Sequence, residues 1–284
     1  MLDCMTIWRY DDRSRNAPII SRLDGCIFCG ERKYDFYIPS EQRSFDEVRG
    51  RHWYPFAEHT KALEVSILVC PTCGWWSVHR TSRGGSGVDV RIEEWSVSGA
   101  LKNLSLADIS TPLDEIQQYL VARYDDRHIV HPRKYEEVVG SVFRSLGYDS
   151  HVTAYSGDGG IDVIVMNHSG GEQIGVQVKR QRGKIQAGQI RELAGALVLN
   201  DLTKGIFVTT TDYTRGAEAT ARKSGERNLP IELWDAERFL DALKLSTRPS
   251  YTDLWDSDAP FAEIIRNLGA LPKTRDDWIP VGWY

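Results

Sequence analysis

The chain has 284 residues, of which 41% are hydrophobic and 26% charged, and a net charge of −5 from 35 basic and 40 acidic side chains. This is a globular composition, and it excludes a mostly disordered chain and any global field that would draw the protein onto nucleic acid or a membrane. No apolar run approaches the ~20 residues that span a bilayer. The opening MLDCMTIWRYDDR has no apolar core suited to a signal peptide, so the expected compartment is the cytoplasm.

Residues 1–100 read as short strands and loops rich in tryptophan and tyrosine. The loop Gly84-Gly85-Ser86-Gly87 separates 74–80 from 88–97, two stretches that can pair as a hairpin. Cys26-Ile27-Phe28-Cys29-Gly30 and Cys70-Pro71-Thr72-Cys73-Gly74 are two CxxCG knuckles. Each brings two thiolates to one ion, and together they supply the four ligands of a closed, structural Zn²⁺ site. Four protein ligands leave no open position, so the chemistry is not catalytic. Cys4 lacks a partner at useful spacing, and His52, His59 and His79 are read as ordinary histidines. Of Trp75 and Trp76, one is expected to pack under the knuckle and the other to be more exposed. The first domain, residues 1–126, is thus a β-rich zinc-knuckle domain with a trailing helix, capped by Thr111 and begun at Pro112.

The pattern changes after the polar stretch 124–128. Pro132 opens a helix whose apolar face is Tyr135, Val138, Val139, Val142, Phe143 and Leu146, and Gly147 stops it. Two paired strands follow, 151–155 and 161–166, then a third strand at 172–179. Next come a helix at 186–199, a buried strand at 204–210, a helix at 214–224, a strand at 229–234 and a helix at 236–243. This order gives an α/β fold around one mixed sheet flanked by helices, with 127–243 as the second domain. Residues 244–284 are an irregular tail, with Trp255, Trp278 and Trp283, that docks on the globule.

The chemistry centres on Asp162, Gln177 and Lys179. Strand alternation sends Val176 and Val178 to one face and Gln177 and Lys179 to the other. Asp162 lies between Ile161 and Val163, where a carboxylate must be paired or bind metal. If the two strands are neighbours the three side chains converge. An acid and an amide oxygen suit Mg²⁺, and a nearby ammonium can offset developing phosphorane charge. The same residues also fit a buried Asp162–Lys179 ion pair that only supports the core. The run Lys179, Arg180, Arg182, Lys184, Arg191 carries five positive charges and no acid, which is either a solvated face or a phosphate track.

At these residues the chain resembles the Mrr-type restriction endonuclease domain, a branch of the PD-(D/E)xK nucleases. The resemblance rests on Tyr135-Glu136-Glu137 leading to Leu146-Gly147-Tyr148, on SGDGGIDV at 156–163, on VQVKR at 176–180 and on GIFVTTTDYTRGA at 205–217. It implies that Asp162 is the central metal ligand and that Gln177 takes the place most of the superfamily gives to Glu. It further implies that Lys179 is the catalytic lysine and Glu136 the helix acid. Asp158 is family-like, with either a catalytic part or only the shaping of the turn as its role. The implied activity is Mg²⁺-dependent hydrolysis of DNA in restriction or phage defence, with Arg180, Arg182, Lys184 and Arg191 on the phosphate backbone. A repair or junction nuclease and an inactive DNA-binding scaffold are the alternatives. The expected partners are DNA and either a second copy of the chain or a protein of a defence system, with no membrane.

Overall fold

The computed structural model describes residues 7–10, 25–31, 34–38, 60–86, 89–153, 159–167, 171–247 and 279–280. The chain divides into two units, 1–103 with 248–284, and 104–247. Cys4, His52, His59, Asp158 and Trp255, Trp278 and Trp283 lie outside the described residues.

The first unit is an antiparallel sheet of β1 (Trp8–Tyr10), β2 (Tyr34–Ile38), β3 (Thr60–Val69), β4 (Trp76–Ser86) and β5 (Asp89–Leu101), closed by β11 (Ile279–Pro280). Its order is β1-β5-β4-β3-β2-β11. The hairpin expected from the sequence is β4–β5, but Gly84, Gly85 and Ser86 do not form its loop. They continue the ladder opposite Arg91, Val90 and Asp89, because cross-strand bonds offset the entropy that disfavours glycine in a strand. Of the tail, Ile279 and Pro280 pair with Tyr37 and Phe36. They form an edge strand, where a residue without an N–H is tolerated.

Trp75 and Trp76 are both buried, at 0% and 1% exposure, which corrects the expectation that one would face solvent. The Trp75 indole donates to the Gly99 carbonyl at 3.0 Å. Trp76 lies over the same glycine, whose missing side chain would sit 3.0 Å from the indole nitrogen.

The second unit is a five-stranded sheet of order β10-β9-β8-β7-β6. Its strands are β6 (Tyr148–Val152), β7 (Val163–Asn167), β8 (Gln173–Lys179), β9 (Lys204–Thr209) and β10 (Ile231–Trp234). β6, β7 and β8 run antiparallel, and β8, β9 and β10 run parallel. The helices are α1 (Leu113–Ala122), α2 (Pro132–Ser145), α3 (Ala187–Leu199), α4 (Arg215–Gly225) and α5 (Ala236–Ser246). α1, read from the sequence as trailing the first domain, belongs here because it packs on α2 and α5. Thr111 does not cap it. Its hydroxyl donates instead to the Ser105 carbonyl at 2.8 Å, and Pro112 takes the cap position.

Strand alternation separates two cores. Val176, Val208 and Trp234 face α2 and α5, where Phe143 stacks on Trp234 with ring centroids 5.0 Å apart. Phe207 and Leu233 face α3 and α4, in a cluster with Ile190, Leu193, Leu197, Ala217 and Ala221. α3 approaches the sheet closely at two paired glycines. A side-chain carbon on Gly175 or Gly205 would lie 2.7 or 2.6 Å from Leu197. On α2 the expected face is buried except for Leu146, which falls past the helix end and is 39% exposed.

Candidate functional sites

β8 is central, so both of its edges are used. Val163 pairs with Val176, and one step earlier the Asp162 N–H donates to the Val176 carbonyl at 2.9 Å. The Asp162 carbonyl accepts from the Thr153 N–H at 3.0 Å on the opposite side, so the chain bends at this residue directly before β7 begins. The Asp162 Oδ2 accepts from the Val178 N–H at 2.6 Å, which fixes the carboxylate at the point where β7 separates from β8. The neighbouring strands expected from the sequence are thus present, and the Asp162 carboxylate is brought to the main-chain N–H of the residue that follows Gln177. Asp162 and Gln177 both lie at the carboxyl ends of β8 and β9, where open parallel sheets commonly bind ligands.

Gln177 is 8% exposed, and its Oε1 is buried with no hydrogen-bond partner. An unsatisfied buried amide oxygen costs ~1–3 kcal/mol, so a core residue with only a packing role would not be expected to keep one. Gly160, at φ +96°, approaches the other end of the amide, and a side-chain carbon there would lie 3.4 Å from Nε2. Sequence reading did not single out Gly160. The signal available was the paired glycine 159–160 directly ahead of Asp162. Lys179 ends β8 and is exposed, so it is not one half of a buried ion pair.

Glu136 lies on α2, on the other face of the sheet, where Arg133 Nη1 holds its Oε2 at 3.0 Å. Of the expected phosphate track, Arg182 and Arg191 are exposed. Lys184 stands 3.3 Å from Asp212 with both groups more than half exposed, a pair of little energetic weight. Arg180 turns inward, and its Nη1 donates to the His128 carbonyl.

The second site is the cysteine cluster of the first unit. The four Sγ atoms of Cys26, Cys29, Cys70 and Cys73 lie within 4.8 Å of one another. The two knuckles repeat one geometry. Gly30 and Gly74 donate to the Cys26 and Cys70 carbonyls at 2.9 Å, and the Cys26 and Cys70 N–H groups donate to Glu31 and Trp75 at 2.7 Å. Gly30 and Gly74 adopt φ of +75° and +74°, a conformation that favours glycine. Trp8 ties β1 to the second knuckle through its indole, which donates to the Cys73 carbonyl at 2.7 Å. Thiols this close share their protons unevenly. Cys26 is held below the usual thiol range, chiefly by the Cys29 side chain, and Cys73 is pushed above it, chiefly by Cys26. Four converging sulfurs suit a tetrahedral thiophilic cation.

Residues 128–243 match the restriction endonuclease family of Mrr catalytic domains. The type IV methyl-directed restriction enzyme EcoKMrr of Escherichia coli (strain K12) is 33% identical over 99 residues, covering 33% of this chain and 33% of that enzyme. The chain therefore matches about a third of the length of this relative. The crystal structure of AF1548, a protein of unknown function, aligns at a TM-score of 0.33 and 14% identity, over 48% of this chain and 77% of that one.

Proposed function

We propose, from the premise that residues 128–243 are an Mrr-type restriction endonuclease domain, that this chain is a metal-dependent DNA endonuclease acting in cytoplasmic restriction or phage defence. The observation that carries the reading is the Gln177 Oε1, buried without a partner, one residue before the Val178 N–H that fixes the Asp162 carboxylate. A hard cation satisfies both oxygens. Asp162 and Gln177 are the proposed Mg²⁺ ligands. The Val178 carbonyl joins them, because a strand residue points its N–H and C=O to the same side and the Val178 N–H is bonded to Asp162. Mg²⁺ bound there would neutralise charge on the phosphate and acidify a water.

The chain's own residues do the rest. Asp162 and Gln177 would hold the cation through which the scissile phosphate is oriented at the strand ends. Lys179 holds the attacking water and offsets charge on the non-bridging oxygens. Glu136 is assigned to a second water or metal, which requires it to leave Arg133 and turn past the edge of the sheet from its opposite face. Arg182, Arg191 and Lys184 contact backbone phosphates, while Arg180 supports the site from within. DNA is the substrate, and a second copy of the chain or a defence protein completes the assembly. Zn²⁺ on Cys26, Cys29, Cys70 and Cys73 is a structural ion, since four thiolates leave no open position. Among the described residues no helix is long and apolar enough to cross a membrane.

The test is nicking of supercoiled plasmid, methylated and plain, by the wild-type protein with Mg²⁺, beside Asp162→Ala and a chelator control. Metal-dependent nicking that Asp162→Ala abolishes supports the reading. Intact plasmid of both kinds with the wild type would overturn it.

A further inference from the structure

The short 3-10 helix Tyr124–His128 lies against the carboxyl ends of β8 and β9. Arg127 Nε donates to the Thr210 carbonyl at 2.9 Å and its Nη1 to the Tyr124 carbonyl at 3.1 Å. Thr210 in turn bonds Lys179 and Gln181, and the Arg182 carbonyl accepts from the Thr211 hydroxyl. Arg180 donates to the His128 carbonyl from the other side. Arg127, Arg180 and Arg182 thus gather around His128, with Arg180 directly after Lys179 and Arg127 linked to it through Thr210. The hydrogen bonds of Arg127 and Arg180 end on neutral main-chain oxygens. The carboxylate facing the group is Asp125, 3.5 Å from Arg127 and fully exposed. Two buried polar atoms here, His128 Nδ1 and Arg180 Nε, have no partner. Burial and the charges of Arg127, Arg182 and Arg180 hold the imidazole below the usual histidine range, against Asp125.

We propose that Arg182 and His128, backed by Arg127 and Arg180, hold a DNA backbone phosphate that flanks the scissile one. The inference rests on the nuclease reading and adds a site that needs no metal. A phosphate between the two segments supplies counter-charge beyond that of the exposed Asp125 and favours the imidazolium, so binding takes up a proton and tightens as the pH falls.

The test is binding of a labelled duplex by the full-length protein in chelator, over a salt and a pH series. Arg182→Gln and His128→Gln are compared with Arg222→Gln, an exposed arginine of α4 that removes the same charge elsewhere. Arg182→Gln should weaken binding several-fold and flatten the slope of log affinity against log salt by about one. His128→Gln should remove the tightening at low pH, and Arg222→Gln should match the wild type. Binding by Arg182→Gln and His128→Gln equal to that of Arg222→Gln, while the wild type still nicks plasmid, overturns this inference alone. A wild-type protein that neither binds nor cuts DNA overturns both readings. Inorganic phosphate is the second probe. Competition only at many millimolar fits a backbone phosphate, whereas displacement of the duplex at micromolar phosphate assigns the site to a free anion and rejects the proposal.

Discussion

Gln177 offers the sharpest separation of packing from function. Its amide is 8% exposed, and its Oε1 has no partner. An unsatisfied buried acceptor costs ~1–3 kcal/mol. Gln177→Leu keeps the size and removes the oxygen, so the variant should be more stable than the wild type in chelator, by about 1–2 kcal/mol after some loss from imperfect packing. It should also be inactive. Gln177→Glu inverts the pattern. It adds a buried carboxylate near the half-buried Asp162 and should lower stability in chelator through desolvation and like-charge repulsion. Mg²⁺ should restore it, by ~2.7 kcal/mol at a concentration 100-fold above the dissociation constant, and cleavage should persist. The two units need not unfold together, so the readout is amide exchange in β8 and β9 beside plasmid nicking. If Gln177→Leu loses more than about 1 kcal/mol while Gln177→Glu ignores Mg²⁺, the glutamine is a structural residue and the metal assignment fails.

The remaining expectations test separate layers of the argument. Lys179→Ala should abolish cleavage with stability changed by less than ~0.5 kcal/mol, because the side chain is exposed at a strand end; exchange protection of β8 falling along with activity would refute this. The purified chain should carry one Zn²⁺ by elemental analysis, and Cys70→Ser should melt the sheet of the first unit while β6–β10 stay protected. Structural zinc is worth on the order of 10 kcal/mol in finger peptides, so well-folded protein free of zinc would reject the site. Gly175→Ala should destabilise the second unit by ~1–3 kcal/mol, since the added carbon would meet Leu197 at 2.7 Å and Leu202 at 2.8 Å in a packed core. A neutral melt would show that α3 can shift.

Where a property depends on neighbours in the chain, the sequence revealed it. The period of Tyr135, Val138, Val139, Val142 and Phe143 marked the buried face of α2, and the cysteine spacing marked the cluster. Alternation along β8 put Gln177 and Lys179 on one face, and only the pairing of two adjacent strands was then needed to add Asp162. The misreadings share one cause. Thr111 has the chemistry of a cap but bonds the Ser105 carbonyl, and Gly84–Ser86 has turn chemistry but is held in a ladder by β5. Trp75 and Trp76 were expected to divide between core and solvent, but both indoles settle on Gly99. In each case a tertiary partner outweighed a local preference of ~1 kcal/mol. The charge run shows the same limit. Counting acids nearby in sequence treats Arg180 and Lys184 as equals, yet Arg180 is turned onto the His128 carbonyl and Lys184 stands beside Asp212. Arg127 and His128, about fifty residues earlier, enter the group only because Thr210, just past β9, and His128, in the 3-10 helix, offer main-chain carbonyls. The field at this end of the sheet is therefore set by which carbonyls the strand ends and the 3-10 helix leave open, and a linear count of charges carries no information about that.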